Sequence, residues 1–79
     1  MYYCYILKSL KDESFYIGST KDLKERLVKH NKKAVRYSST KAPFKLVWYS
    51  AFLNKEKAVS FEMYLKSSSG FAFRNKRLI

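Results

Sequence analysis

The sequence predicts a small α+β domain (an α/β protein in the broad sense): a three-stranded antiparallel sheet flanked by helices, in the order β-β-α-β-α-α. Three observations lead there. Two aromatic-rich runs near the start are separated by a short polar stretch. A third, denser run follows in mid-chain. The segments between and after them carry apolar residues at helical spacing behind capping residues. Tyr2-Tyr3-Cys4-Tyr5-Ile6-Leu7 is aromatic and β-branched enough for a first strand. Ser9 to Ser14, with Lys11-Asp12-Glu13 at its tip, makes the hairpin connection, and Phe15-Tyr16-Ile17 returns. Gly18 marks a place where the backbone leaves the strand or approaches something closely. Thr20 is the expected N-cap of a helix over Lys21 to about Lys33, with Asp22 in its first turn and Leu23 and Leu27 on one face. Residues 34–42 form a loop that ends at Pro43. Phe44–Phe52 is the strongest strand. Asn54 caps a second helix running to about Lys66, Ser67-Ser68-Ser69-Gly70 breaks it, and a short third helix covers about Phe71 to Leu78. Three strands packed on helices are near the minimum for a stable sheet.

The 79 residues allow one domain, 1–79, with a limited core. Seven Tyr, six Phe and one Trp give that core bulk and exclude a disordered basic tail. A single cysteine excludes an intrachain disulfide and a cysteine-rich zinc site, which fits a cytoplasmic protein. No apolar run is long enough for a membrane span or a signal-peptide core. Seventeen Lys plus Arg against six Asp plus Glu leave a net charge of +11, spread over both halves of the chain. Such a field attracts polyanions, nucleic acid foremost, an anionic membrane surface second, and it also serves solubility alone.

Few side chains are placed for chemistry. Asp12 and Glu13 fall in the turn, and Asp22, Glu25 and Glu56 in helix first turns that the macrodipole accounts for. Glu62 differs: Ala58, Phe61, Glu62 and Leu65 follow the i, i+3, i+4, i+7 pattern, so this carboxylate shares an apolar face. There it needs a cation, a set of hydrogen bonds or a metal, and a salt bridge to a Lys or Arg is the ordinary answer. Arg26 and His30, four apart, are neighbours beside Leu23 and Leu27. The ordinary readings are a surface charge and a dipole-favoured helix histidine. Tyr5 and Tyr16 share a sheet face if the connection has an even number of residues, and tyrosines so placed are usually core.

Together these pieces form a pattern. Tyr3-Cys4-Tyr5, then Tyr16-Ile17-Gly18-Ser19, then Lys21-Asp22-Leu23-Lys24-Glu25-Arg26 and His30-Asn31 resemble the GIY-YIG nuclease family. Further support comes from Ser39-Thr40-Lys41 before Pro43, Lys45-Leu46-Val47-Trp48-Tyr49, and Tyr64-Leu65-Lys66-Ser67 through Gly70. The first triplet departs from the family pattern, with Tyr3 in place of glycine and Cys4 in place of an aliphatic residue. The likeness extends over essentially the whole chain and is to the small stand-alone bacterial, YhbQ-like type. It implies the GIY-YIG nuclease fold and a set of roles. Tyr5 or Tyr16 would act as, or assist, the general base, Arg26 would stabilise the phosphate or leaving group, and His30 would assist proton transfer. Glu62 would hold one Mg²⁺ or Mn²⁺. Ser19, Lys21, Lys41 and Asn75 are implied as phosphate or DNA contacts. The expected chemistry is phosphodiester hydrolysis, in which charge neutralisation on the phosphate dominates. Arginine suits it because its fork meets two oxygens, and nearby cations are expected to lower a tyrosine pKa into a useful range.

Three functions follow. The first is a metal-dependent endonuclease acting on DNA without sequence preference, as a repair or recombination accessory. The second is a nucleic-acid-binding module of the same fold that cuts poorly or only within a complex, and the third is a structural domain. All five implied catalytic and metal residues are present, which favours the first. The chain's brevity favours the second and leaves room for a homodimer or a protein partner.

Overall fold

The strand β1 (Tyr2–Ser9) buries side chains on both of its faces, and this makes it the central strand of the sheet. The computed structural model describes residues 1–32 and 41–79. In it β2 (Phe15–Thr20) and β3 (Phe44–Phe52) pair with β1 on either side, both antiparallel, in the order β2-β1-β3. The β1–β2 register sets Tyr5 opposite Gly18 and Leu7 opposite Tyr16. The β1–β3 register sets Tyr5 opposite Tyr49 and Ile6 opposite Trp48, then shifts so that Leu7 faces Leu46. Val47 is the extra residue, a bulge in the edge strand.

Strand alternation sorts the apolar residues into two layers. Cys4, Ile6 and Ile17 point to one face and meet Leu65, with Val47, Trp48, Phe52, Phe61 and Leu78 packed around them. Tyr5, Leu7 and Phe44 point to the other, packed with Tyr16, Leu23, Leu27 and Leu46. The first layer lies under α2 (Lys55–Lys66) and α3 (Ser68–Arg77), the second under α1 (Leu23–Asn31). Full burial of Ile6, Leu7 and Leu65 is worth about 1.5–3 kcal/mol for each side chain. The Cys4 thiol is pushed up to about 12, by burial first and by the charge of Glu62 second, so it is an inert core group.

The element order is as expected, and the boundaries differ for local reasons. β1 runs on to Ser9, and β2 runs on to Thr20, which stays in the ladder opposite Tyr3. The cap of α1 is therefore Asp22, whose Oδ1 accepts the Glu25 amide at 3.0 Å, and the helix starts at Leu23. Its described end is Asn31 with Lys32 as C-cap. Lys33 and most of the expected 34–42 loop, including Ser39 and Thr40, lie outside the described residues. Asn54 caps α2 as expected. The break after it is a single residue: Ser67 closes α2 through its amide to the Tyr64 carbonyl, and its hydroxyl accepts the Gly70 amide to open α3. A Cβ on Gly70 would run into the Tyr64 carbonyl, so only glycine lets α3 fold back this closely.

Arg74, 8% exposed, lies with its guanidinium over the rings of Phe71 (4.6 Å) and Phe15 (5.3 Å). Among the described residues its Nε and Nη1 have no hydrogen-bond partner, and the two ring faces offset part of the desolvation. In the hairpin turn Asp12 accepts hydrogen bonds from the Ser14 hydroxyl and amide, which hold its carboxyl down at about 2. Asp12 is thus a turn residue, as its position implies. Among the described residues no helix is long and apolar enough to cross a membrane.

Candidate active site

α1 positions the first pair of candidate residues. Leu23 and Leu27 dock it on the sheet, and Asn31 ties its end to β3, accepting the Phe44 amide at 2.6 Å and donating to the Phe44 carbonyl at 3.2 Å. This clamp drives His30 into the core. The sequence places His30 at the border of the core, whereas it is 0% exposed, enclosed by Tyr5, Tyr16 and Phe44. His30 Nε2 and Tyr5 Oη are hydrogen-bonded at 3.3 Å, and the Tyr16 ring centroid is 4.7 Å from the imidazole. Tyr5 and Tyr16 thus share a sheet face and converge on His30. Arg26, one turn earlier, is half-buried beside them and within electrostatic reach of both Tyr5 and His30.

Gly18 is needed here for space. The Tyr5 phenol lies over it, and a Cβ at position 18 would fall 2.5 Å from Tyr5 Oη. Gly18→Ala therefore has to move the phenol off His30. A fall in stability of about 1–3 kcal/mol is expected, read as a thermal midpoint lower by roughly 4–8 °C for each kcal/mol in a domain of this size.

The electrostatics correct one expectation. Burial pushes the Tyr5 hydroxyl well above its ordinary value near 10, and Arg26 only partly pulls it back, while Tyr16 and Glu62 push it further up. Arg26 by itself does not bring the Tyr5 hydroxyl into a useful range. His30 moves down from its ordinary 6.5, by burial first and by Arg26 second, so it is neutral at pH 7. The folded state then binds fewer protons than the unfolded chain once the pH drops below about 6.5. His30's contribution is harmless above that value, and stability is lost as the pH falls from there toward the depressed folded pKa. The thermal midpoint should fall between pH 7 and pH 5, and His30→Gln should flatten that part of the curve. An equally steep fall in the variant would contradict it.

Glu62 comes from the opposite side of the sheet. It projects from α2 toward the end of β2, where its Oε1 accepts the Ser19 hydroxyl at 2.7 Å and its Oε2 accepts Lys66 Nζ at 2.7 Å. Its side chain is 18% exposed and that of Lys66 53%. The ordinary expectation of a lysine partner is met, but by an exposed neighbour on the same helix. The donor set still suits a hard divalent cation. A carboxylate and a hydroxyl supply oxygen ligands, and Mg²⁺ is commonly held by one or two carboxylates plus waters and substrate phosphate. The Lys66 ammonium, on a side chain half in solvent, occupies the position such a cation would compete for. Among the described residues no cluster of three or more His, Cys, Asp and Glu exists, so Glu62 would be the single anchor.

Ser19, at the end of β2, is the residue the two halves share: it bonds Glu62 and lines a cleft with Arg26. This cleft of about 570 Å³ is lined by Tyr2, Ser19, Thr20, Lys21, Asp22, Glu25, Arg26 and Lys55. Of the candidate residues, Arg26, Ser19 and Lys21 line this opening; Tyr5, Tyr16, His30 and Glu62 do not, and Tyr5 and His30 lie buried. Lys41 and Asn75 are not brought to it. Lys41 sits at the hairpin end, 3.8 Å from Asp12, with its carbonyl accepting the Ser9 hydroxyl, and Asn75 is exposed on α3. Both were placed by the resemblance alone, and the β1–β3 register and the outward face of α3 carry them elsewhere. Lys55 and Tyr2 were missed. Neither differs in sequence from the other surface lysines and strand tyrosines, so no local signal marks them.

With this geometry in view, the comparisons with known proteins are direct. The family model described as the GIY-YIG catalytic domain matches residues 1–77. A UPF0213 protein of Clostridium perfringens is 42% identical over 79 residues, which cover 99% of this chain and 80% of that protein. A UPF0213 protein of Streptococcus pneumoniae is 42% identical over 65 residues, 81% of this chain and 65% of its own length. One of Lacticaseibacillus paracasei is 39% identical over 66 residues, covering 82% and 73%. The chain spans less than two thirds of the Streptococcus pneumoniae relative. The match runs through β1, β2, α1, β3 and both later helices, the elements that carry Tyr5, Tyr16, Arg26, His30 and Glu62, and the chain belongs to the GIY-YIG family.

Proposed function

We propose that the protein is a divalent-metal-dependent endonuclease that hydrolyses phosphodiester bonds in DNA without sequence preference. The observation that carries this reading is the Tyr5 hydroxyl: it is hydrogen-bonded to a buried neutral imidazole and lies in the field of both Arg26 and Glu62. Lys21 and Lys55 draw the DNA backbone into the cleft, and the Arg26 guanidinium binds two oxygens of the scissile phosphate, where negative charge grows in the transition state. Tyr5 and His30 form a proton relay. With Nε2 as the unprotonated nitrogen, the phenol passes its proton to Nε2 as it takes one from the attacking water, a step that requires bound nucleic acid to open a path to a hydroxyl that is buried in the free protein. Tyr16 packs against the imidazole and fixes its plane. Glu62, with Ser19 beside it, would hold one Mg²⁺ or Mn²⁺, which supplies Lewis-acid neutralisation of the phosphate when bound.

One observation favours a second reading, a nucleic-acid-binding module with little cleavage of its own. Both Glu62 oxygens are already occupied, by Ser19 and Lys66. Labelled single-stranded, duplex and branched oligonucleotides incubated with Mg²⁺, Mn²⁺ or EDTA distinguish the two. The endonuclease reading expects internal cuts with either metal and none in EDTA. Binding without cuts in every arm selects the module. Either way the affinity should fall with salt, with a log–log slope of about −3 or steeper for a handful of phosphate contacts. A flat salt response would remove DNA as the partner.

A further inference from the structure

Tyr3 and Tyr49 remain outside everything assigned so far. They lie on the same sheet face as Tyr5: Tyr3 precedes it by two residues on β1, and Tyr49 stands opposite it on the edge strand β3. Their rings meet edge to face, with centroids 6.1 Å apart. Tyr49 is 53% exposed and Tyr3 half-buried, although large aromatic rings on this face are otherwise drawn in under α1. Nothing in the fold requires a ring at the Tyr49 position, since β3 is an edge strand and the ring stands mostly in solvent.

The surroundings say what these rings could meet. Tyr3 and Tyr49 line a second opening of about 360 Å³ together with Lys21, Asp22, Leu23 and Lys24. Lys21 and Asp22 also line the cleft that holds Arg26, so the two openings adjoin, with Lys21 between the Arg26 cleft and the aromatic rings. A ring face beside two lysines suits a ligand that is flat, apolar on its faces and carried on an anionic chain. An apolar protein surface would leave Lys21 and Lys24 without counter-charges, and a closed duplex hides its base faces within the stack. An unpaired nucleotide satisfies both the rings and the lysines.

We infer that Tyr3 and Tyr49 form a stacking platform for an unpaired nucleobase adjacent to the phosphate held at Arg26, so that the protein prefers nucleic acid with single-stranded character. This deepens, and rests on, the nucleic-acid reading of the cleft. Tyr49 would supply the exposed ring face and Tyr3 would fix its tilt. Stacking of a base on an aromatic side chain tolerates any sequence, in keeping with openings that offer few groups to read base edges.

The test is a binding measurement in EDTA, where no cutting occurs. A short unpaired oligodeoxynucleotide carrying a fluorescent aminopurine base is titrated against the wild-type protein, Tyr49→Ala and Tyr49→Phe, and a blunt duplex of the same length is run in parallel. Wild type is expected to quench the fluorophore. Tyr49→Ala should weaken single-strand binding about 5- to 100-fold and abolish the quench. Tyr49→Phe should keep both, and duplex affinity should change less than about twofold. Tyr49 is solvent-facing on an edge strand, and an unchanged thermal midpoint verifies that the variant is folded. Full single-strand affinity in Tyr49→Ala would overturn the platform, as would an equal loss on single strand and duplex. Absence of any binding by wild type would overturn the platform and the nucleic-acid reading together. A platform that quenches in EDTA, on a protein that never cuts when Mg²⁺ is restored, would leave the stacking intact and remove only the endonuclease.

Discussion

Glu62→Gln is expected to lower Mg²⁺-supported cleavage by at least about 10²-fold, the cost of losing a main source of transition-state charge neutralisation, while the protein stays folded. The amide keeps an acceptor oxygen for the Ser19 hydroxyl, so the polar contact across the sheet edge survives. What disappears is the ion pair with Lys66, an i,i+4 contact whose cationic end is half in solvent. Such a pair contributes no more than about 1 kcal/mol. This is smaller than the few kcal/mol expected of a broken buried pair, and the difference comes from the exposure of Lys66. DNA affinity in EDTA should hold or rise, because a negative charge leaves the neighbourhood of the phosphate. A folded Glu62→Gln protein that cuts as fast as wild type with Mg²⁺ would take Glu62 out of the site. A large drop in thermal midpoint with cleavage retained would make it structural.

Arg26→Ala should lower the single-turnover rate by about 10²–10³-fold, the usual cost of losing one preorganised donor at the developing charge. Arg26→Lys keeps the cation and loses the planar fork, so it should recover DNA affinity more than rate. A second consequence separates Arg26 from an ordinary phosphate contact. Its charge is one of the two causes that hold His30 below 6.5, and it opposes the upward push on Tyr5. Without it the His30 titration should move up toward 6.5 and the Tyr5 hydroxyl higher still. The NMR titration of the only histidine, His30, reads the first shift directly. An unmoved His30 resonance in Arg26→Ala would show that the two are not electrically joined.

The order of elements was legible in the sequence because it depends on short-range periods, whereas the company of Tyr5, Tyr16, Arg26 and His30 was implied by the family resemblance. Two-residue alternation puts both tyrosines on one sheet face only because the hairpin connection between Lys8 and Phe15 is even, and four-residue spacing puts Arg26 and His30 on one helix face. What the sequence left open depends on depth and on contacts between distant segments. Helical spacing gives the side of α1 that His30 faces. It does not show that the Asn31 clamp on Phe44 would seal the imidazole completely. Thr20 and Asp22 are both good caps, and only the strand pairing of Thr20 with Tyr3 decides for Asp22. Glu62 was marked as unusual by its apolar neighbours. Its partner Ser19 is 43 residues away, on a strand whose end comes to α2 only in the folded sheet. The tyrosine pKa was misjudged for the same reason: the net charge is visible in composition, whereas the desolvation of Tyr5 belongs to the packed core.

Cutting within a DNA strand at the Arg26 cleft is read on covalently closed circular plasmid, which offers no end to an exonuclease. Wild type and Arg26→Ala, purified in parallel, are incubated with the plasmid and Mg²⁺, and nicked and linear forms are followed in time, with EDTA as the control. Steady nicking by wild type is expected, none in EDTA, and a rate at least about 10²-fold lower for Arg26→Ala. Plasmid that stays supercoiled with Mg²⁺ and with Mn²⁺, or equal nicking by the two proteins, would overturn the endonuclease reading of this cleft.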